Sequence, residues 1–216
     1  MSEVGTRHAA QRVVGGLYAI TPDGQDTAEL LRKVRLALSG GARVIQYRNK
    51  SADAALRVEQ AIALRALTRE FSVPLIINDD ARLAQQVVAD GVHLGGEDGS
   101  VAAARALLGD GGIIGVSCYN RLSLAHDAVN MGADYVAFGS FFASTVKPDA
   151  VAATPELLRQ ARDALDVPLV AIGGITADNA TQLLEAGADA LAVISAVFGA
   201  QDIQRAARQF SNLNFN

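Results

Sequence analysis

The sequence is poor in cysteine, tryptophan, proline and histidine: one Cys, no Trp, five Pro and three His in 216 residues. A single Cys118 excludes an intramolecular disulfide and any cysteine-built zinc or iron–sulfur site. Such sparing use of cysteine fits a reducing compartment, and a cytoplasmic location is the expectation. Basic residues are also few. The 19 Lys and Arg are outnumbered by 23 Asp and Glu, for a net charge of −4. That balance argues against a general nucleic-acid-binding surface, although a few local cations can still hold a small anion. No stretch approaches the ~18 consecutive apolar residues of a membrane span. The opening residues lack a continuous apolar stretch of signal-peptide type. What is present in quantity is apolar: 50% of residues, with 19% charged. This excludes a disordered chain and allows a core that needs no staples.

Short β-rich apolar runs alternate with longer segments of helical period. The runs are residues 16–21, 43–48, 73–78, 91–95, 113–118, 135–140, 168–174 and 190–195. They show little polar alternation, as expected of parallel strands buried on both faces. Helical segments are expected at 27–38, 54–70, 81–88, 101–108, 122–131, 155–165, 177–186 and 201–210. In the first, Leu30, Leu31, Val34 and Leu38 form one stripe. An internal echo accompanies the alternation. Gly41-Ala42-Arg43-Val44, Gly132-Ala133-Asp134-Tyr135 and Gly187-Ala188-Asp189-Ala190 each read as helix end, turn and strand start, and Ala89-Asp90-Gly91-Val92 is a looser copy.

Eight such units specify a single (β/α)8 TIM barrel with eight parallel strands. A doubly wound open sheet competes, but the first strand runs into Thr21-Pro22-Asp23-Gly24 and not a Gly-rich dinucleotide fingerprint. The expected organisation is a flexible lead-in over 1–14, the barrel over 15–210 and a tail over 211–216.

A barrel places its chemistry at the C-terminal ends of its strands. There the sequence offers Gln46, Arg48 and Lys50, whose spacing puts them on one face of an extended segment; Arg and Lys together suit phosphate oxygens. Asn78-Asp79-Asp80 and Glu97-Asp98 follow the third and fourth runs. Carboxylates at one barrel mouth suggest a hard cation, Mg2+, that keeps sites for phosphate and water. Asp79 is the better ligand candidate, because Asp80 sits where a helix cap is needed. Ser117 ends the fifth run, and a long connection carries Ser144, Thr145 and Lys147 beside aromatic residues. Gly173-Gly174 and Ile194-Ser195 suit the common barrel phosphate site. Cys118 reads as a buried apolar residue, His126 as a helix residue, and His93 as pointing toward a neighbouring element with an outside claim to be a base. No Ser-His-Asp or Cys-His motif is evident, so the inventory suits loss of a phosphate or diphosphate by positioning and charge.

These segments resemble the thiamine-phosphate synthase family over nearly the whole chain. The resemblance is carried by Gln46-Tyr47-Arg48-Asn49-Lys50, Ile77-Asn78-Asp79, Asp90 to Asp98, Ile114-Gly115-Val116-Ser117, Gly132 to Gly139, Lys147-Pro148 and Ala171 to Ile175. It implies a barrel transferase of the thiamine-phosphate diphosphorylase type. That reaction joins 4-amino-2-methyl-5-hydroxymethylpyrimidine diphosphate to 4-methyl-5-(2-hydroxyethyl)thiazole phosphate by a dissociative, Mg2+-dependent substitution. It also implies roles. Gln46, Arg48, Lys50 and Asn78 would bind the pyrimidine diphosphate, with Ser117 near it. Asp79 and Asp98 would hold Mg2+. Lys147 would act as the lid lysine, and Ser144 would keep the hydroxyl of the lid's first Thr. Gly174, Ile194 and Ser195 would contact the thiazole phosphate. Arg48, Lys50 and Lys147 are the catalytic candidates. The chain departs from the family loop at Val146, where a Thr is usual, and Thr145 is the candidate replacement. Tyr47, where Leu is usual, is expected to face away from the site. The implied partners are small molecules, with no nucleic acid and no membrane; oligomeric state is not implied. The rival readings are a thiazole tautomerase on the same barrel and a non-catalytic module that binds a thiamine precursor.

Overall fold

A computed structural model describes residues 14–96, 99–143 and 151–215. Eight strands form a closed, all-parallel barrel in sequence order. They are β1 (Gly16–Ile20), β2 (Val44–Tyr47), β3 (Leu75–Asn78), β4 (Gly91–Leu94), β5 (Ile113–Tyr119), β6 (Tyr135–Phe138), β7 (Leu169–Ile172) and β8 (Ala190–Val193). The expected (β/α)8 architecture is the observed one. Around the barrel lie α1 (Thr27–Ser39), α2 (Ala54–Glu70), α3 (Ala81–Gln86), α4 (Val101–Leu108), α5 (Leu122–Asn130), α6 (Pro155–Ala164), α7 (Thr181–Glu185), α8 (Ser195–Phe198) and α9 (Ile203–Ser211).

The absence of polar alternation has a direct cause: both faces of each strand are covered. Tyr18, Val44, Ile76, Tyr135 and Val170 fill the barrel interior. Leu17, Ile45, Ile77 and Leu169 from the same strands pack outward against the helices. Helix starts are set by side-chain caps. Asp26, Asp53, Asp80, Ser100 and Asp202 each accept an N–H from the first turn of the following helix. Asp80 is thus the cap it was expected to be.

The Gly-Ala-Asp echo has a structural meaning. Asp134 Oδ2 accepts from the Ile114 N–H at 2.8 Å and from Arg105 Nη2 at 2.7 Å. Asp90 Oδ2 does the same for the Leu75 N–H at 2.7 Å and Arg65 at 2.6 Å. Asp189 repeats it with the Leu169 N–H at 2.7 Å and with Arg162. Each aspartate precedes an even-numbered strand, ties down the start of the preceding odd strand, and takes its arginine from the even-numbered helix α2, α4 or α6. At the equivalent place before β2 stands Arg43. Its N–H still donates to the Leu17 carbonyl at 2.8 Å, but no carboxylate is there, and its stem covers Gly16 instead.

Several boundaries differ from expectation. α7 begins at Thr181 and not 177, because Asn179 accepts from the Thr176 N–H and donates to the Gly174 carbonyl, holding 174–179 as a turn. α3 ends at Gln86, with Val88 at φ 53 and the Ala89 N–H turned back to the Ala84 carbonyl. The short helix α8 was not read from the sequence. Val14 is buried in the barrel interior, so residue 14 belongs to the fold and not to a lead-in. At the other end, α9 includes Ser211, whose Oγ donates to the Gly40 carbonyl at 2.8 Å. Leu213 and Phe215 pack against the core, so the described part of the tail is structured. A Cβ on Gly41 would stand 2.7 Å from the Ser211 Oγ; the glycine lets the last helix dock.

Candidate active site

The strands' C-terminal ends open on a cavity of about 190 Å3. β2 delivers Gln46 and the chain just after it Arg48, β3 delivers Asn78, and β5 delivers Ser117. From the opposite side come Gly174 after β7 and Ile194 and Ser195 after β8. Seven of the expected site residues therefore share one cavity wall. Asp98, Ser144, Thr145 and Lys147, together with Val146, lie outside the described residues.

Lys50 is not in that wall. The strand ends at Tyr47, so the even spacing that aligns Gln46 with Arg48 does not carry on to Lys50. Asp23 makes the chain turn: its Oδ1 accepts from the Lys50 N–H at 2.8 Å and from Arg48 Nη1 at 3.2 Å. Thr21 adds a second tie, accepting from the Arg48 N–H and donating to the Arg48 carbonyl, both at 2.9 Å. Lys50 instead lies in an adjoining hollow, with its Nζ 3.6 Å from Asp79 Oδ2. Asn78 borders both spaces. Asp79 has φ 65, a left-handed conformation that Asp tolerates better than most side chains, and its N–H donates to the His93 carbonyl at 2.8 Å. Asp23 and Thr21 were not singled out in the sequence, where they read as a turn. Only the contact across β1 and β2 reveals their part.

Tyr47 faces outward as expected and donates to Gln60 Oε1 at 2.8 Å. Burial pushes its phenol up to about 12. Cys118 is fully buried, and burial pushes its thiol up to about 12, which leaves it an inert apolar group.

The barrel floor holds a polar array whose connections were not legible in the sequence. Gln46 Nε2 donates to Tyr18 Oη at 2.9 Å. Tyr18 and Tyr135 hydroxyls are 2.8 Å apart, Tyr135 Oη is 2.9 Å from His93 Nδ1, and His93 Nε2 is 2.9 Å from Ser117 Oγ. Burial drives both phenols above their ordinary value of 10.0, so both keep their protons. Alternation along the strands was the available signal. It turns Tyr18 and Tyr135 inward, while register alone decides that they meet.

The glycines after β7, which line the cavity, also have a packing role. A Cβ on Gly173 would overlap Ser140 Oγ at 2.0 Å. One on Gly174 would lie 2.4 Å from the Ala143 carbonyl oxygen. Both have positive φ, 105 and 61. They let the segment after β6 lie against the segment after β7, so the cavity rim needs them whatever it binds.

Among the described residues no group of three His, Cys, Asp or Glu is placed to hold a metal. Asp79 at the mouth, with the Asn78 amide beside it, is a sparse oxygen set. That suits a hard cation taking most of its ligands from phosphate and water.

The family model described as thiamine monophosphate synthase matches residues 17–197. The chain belongs to the thiamine monophosphate synthase family. It is 54% identical over 205 residues to a thiamine-phosphate synthase of Nitrosospira multiformis, covering 95% of this chain and 88% of that one. It is 54% identical over 208 residues to one from Methylobacillus flagellatus, covering 96% and 99%. A solved thiamine phosphate pyrophosphorylase from Pyrococcus furiosus superposes with a TM-score of 0.82 at 38% identity, covering 94% of this chain and 95% of that chain. Membership of the thiamine monophosphate synthase family makes the chain an enzyme, a transferase acting on small molecules. No helix among the described residues is long and apolar enough to cross a membrane.

Proposed function

We propose that this enzyme is a thiamine-phosphate synthase that joins 4-amino-2-methyl-5-hydroxymethylpyrimidine diphosphate to 4-methyl-5-(2-hydroxyethyl)thiazole phosphate, giving thiamine monophosphate and diphosphate. The observation that carries the reading is the convergence of Gln46, Arg48, Asn78, Ser117, Gly174, Ile194 and Ser195 on one cavity. Five strands supply them, with Gln46, Arg48, Asn78 and Ser117 on one side and Gly174, Ile194 and Ser195 on the other.

The proposed chemistry is dissociative. The methylene C–O bond breaks and its electron pair leaves with the diphosphate oxygen. The thiazole nitrogen then gives its lone pair to the pyrimidine methylene carbon, forming the C–N bond. No protein base is needed, in keeping with an inert Cys118. Arg48 and Asn78 would hold the diphosphate, Arg48 as a fork kept in place by Asp23. Lys50 would meet the same charge from the adjoining hollow, and Lys147 is proposed as a further cation by resemblance. Asp79, with Asp98 by resemblance, would hold Mg2+, which when bound would neutralise charge on the departing diphosphate. Gly174, Ile194 and Ser195 would receive the thiazole phosphate. A cytoplasmic setting is proposed from the sparing use of cysteine.

The test is turnover. Purified protein receives the pyrimidine diphosphate, the thiazole phosphate and Mg2+, with an EDTA control, and thiamine monophosphate is quantified. Metal-dependent product is expected. Folded protein that binds thiazole phosphate without forming product would replace this reading with the tautomerase or the binding module.

A further inference from the structure

The array across the barrel floor is continuous: Gln46, Tyr18, Tyr135, His93 and Ser117 are joined by four contacts of 2.8 to 2.9 Å. Its ends, Gln46 and Ser117, both face the cavity. Counting hydrogens gives it a direction. Gln46 Nε2 donates to Tyr18. Tyr18 is buried and has no other acceptor among the described residues, so its single hydrogen goes to Tyr135. Tyr135 then accepts from Tyr18 and spends its own hydrogen on His93 Nδ1. An imidazole whose Nδ1 accepts carries its proton on Nε2, and Nε2–H donates to Ser117 Oγ. The Ser117 hydrogen is left for the cavity. At the far end, one Nε2 hydrogen of Gln46 goes to Tyr18, which fixes the amide so that its Oε1 is left as an acceptor beside the second N–H.

We propose that Tyr18, Tyr135 and His93 are positioning residues for the synthase reaction: they form one polarised hydrogen-bond chain that holds His93 as its Nε2–H tautomer and presents Ser117 to the substrate as a donor and Gln46 as an acceptor. The packing supports a fixed array. Tyr135 stacks on His93 with centroids 5.5 Å apart and planes at 26°. Gly115 clears the room, since a Cβ there would stand 2.0 Å from Tyr135 Cζ. Each bond polarises the next, so a break in the middle is felt at both ends.

The proposal rests on the synthase reading for its kinetic arm and on the chain alone for its spectroscopic arm. In histidine-15N-labelled full-length protein, with His8→Gln and His126→Gln used for assignment, His93 should show an unprotonated Nδ1 and a protonated Nε2. An Nδ1–H tautomer would mean the chain runs the other way, and an imidazolium would mean it is broken; either overturns the proposal, whether or not the protein turns over. Tyr135→Phe keeps the ring and removes the link. It should mix the two tautomers and lower kcat/KM for the pyrimidine diphosphate by about three- to tenfold, the size of a lost hydrogen bond, with KM for the thiazole phosphate unchanged. His93→Gln, whose amide nitrogen reaches the place of Nε2, should restore more activity than His93→Asn. Equal losses in those two variants, or equal loss toward both substrates in Tyr135→Phe, would reduce the chain to packing. Should Tyr135→Phe fail to fold, the tautomer of the unsubstituted protein still decides.

Discussion

Lys50 Nζ stands 3.6 Å from Asp79 Oδ2 at the barrel mouth, both partly exposed. Such a pair contributes little to stability, so its placement bears on ligands more than on folding. Asp79→Asn removes the charge while keeping a residue that tolerates φ 65. It should abolish most Mg2+-dependent turnover and leave the unfolding free energy measured in urea within about 0.5 kcal/mol of the parent. Turnover at the parental level across a Mg2+ titration would remove Asp79 from the metal site.

Asp134→Ala should act in the opposite way. It leaves the Ile114 N–H without its acceptor and takes the carboxylate from the Arg105 guanidinium, which keeps only the Gly109, Gly112 and Gly132 carbonyls, on the face away from the cavity. With both side chains only partly exposed, the expected loss is about 2–3 kcal/mol, read from urea unfolding, with kcat unchanged at temperatures where the variant is folded. A loss confined to kcat would contradict the assignment of that face to stability.

Gly174→Ala forces a Cβ toward the Ala143 carbonyl at a positive φ. The expected result is a stability loss of about 1–3 kcal/mol together with weaker thiazole-phosphate binding measured by calorimetry. Gly111→Ala, where nothing lies within 4 Å, is the control and should change neither.

Buried thiol and phenol groups set the alkaline limit. Burial raises Cys118 from an ordinary 9.0 to about 12 and Tyr47 from 10.0 to about 12, and raises Tyr18 and Tyr135 as well. The folded state therefore holds protons that the unfolded chain gives up. Stability should be level below about pH 9 and fall from there toward pH 12. Urea midpoints measured on either side of pH 9 check this. A midpoint that rises with pH in that window would show that these groups are not buried as described. Cys118 in the folded protein should also resist alkylation near pH 8.

The barrel was legible because eight apolar runs and their helical intervals leave few other arrangements, and because strand-end chemistry has a fixed location in such a fold. Gln46 and Arg48 were placed together by spacing alone. Lys50 was misplaced by the same rule, since nothing local says that Asp23, 27 residues earlier, ends the extended segment. The Gly-Ala-Asp echo was visible as repetition, but its purpose depends on which strand start lies beside each aspartate. The link from Tyr18 to Tyr135 spans 117 residues. It exists only because the sheet closes, and no local pattern encodes closure.

The three aspartate ties give the barrel an unequal circumference. Pairs β3–β4, β5–β6 and β7–β8 each carry one, and β1–β2, with Arg43 in the corresponding place, does not. The molecule is in effect a hoop of four staves, three clasped at the base and one held there by backbone bonds alone, its side-chain ties from Tyr18 to Gln46, Thr21 to Arg48 and Asp23 to Lys50 lying toward the mouth. Opening fluctuations should therefore begin at the unclasped stave. Amide exchange measured strand by strand should find β1 and β2 releasing their protons ahead of β5 and β6. Because that stave also carries Tyr18, Gln46 and Arg48, the unclasped base of the scaffold and one wall of the cavity are two ends of the same piece of chain.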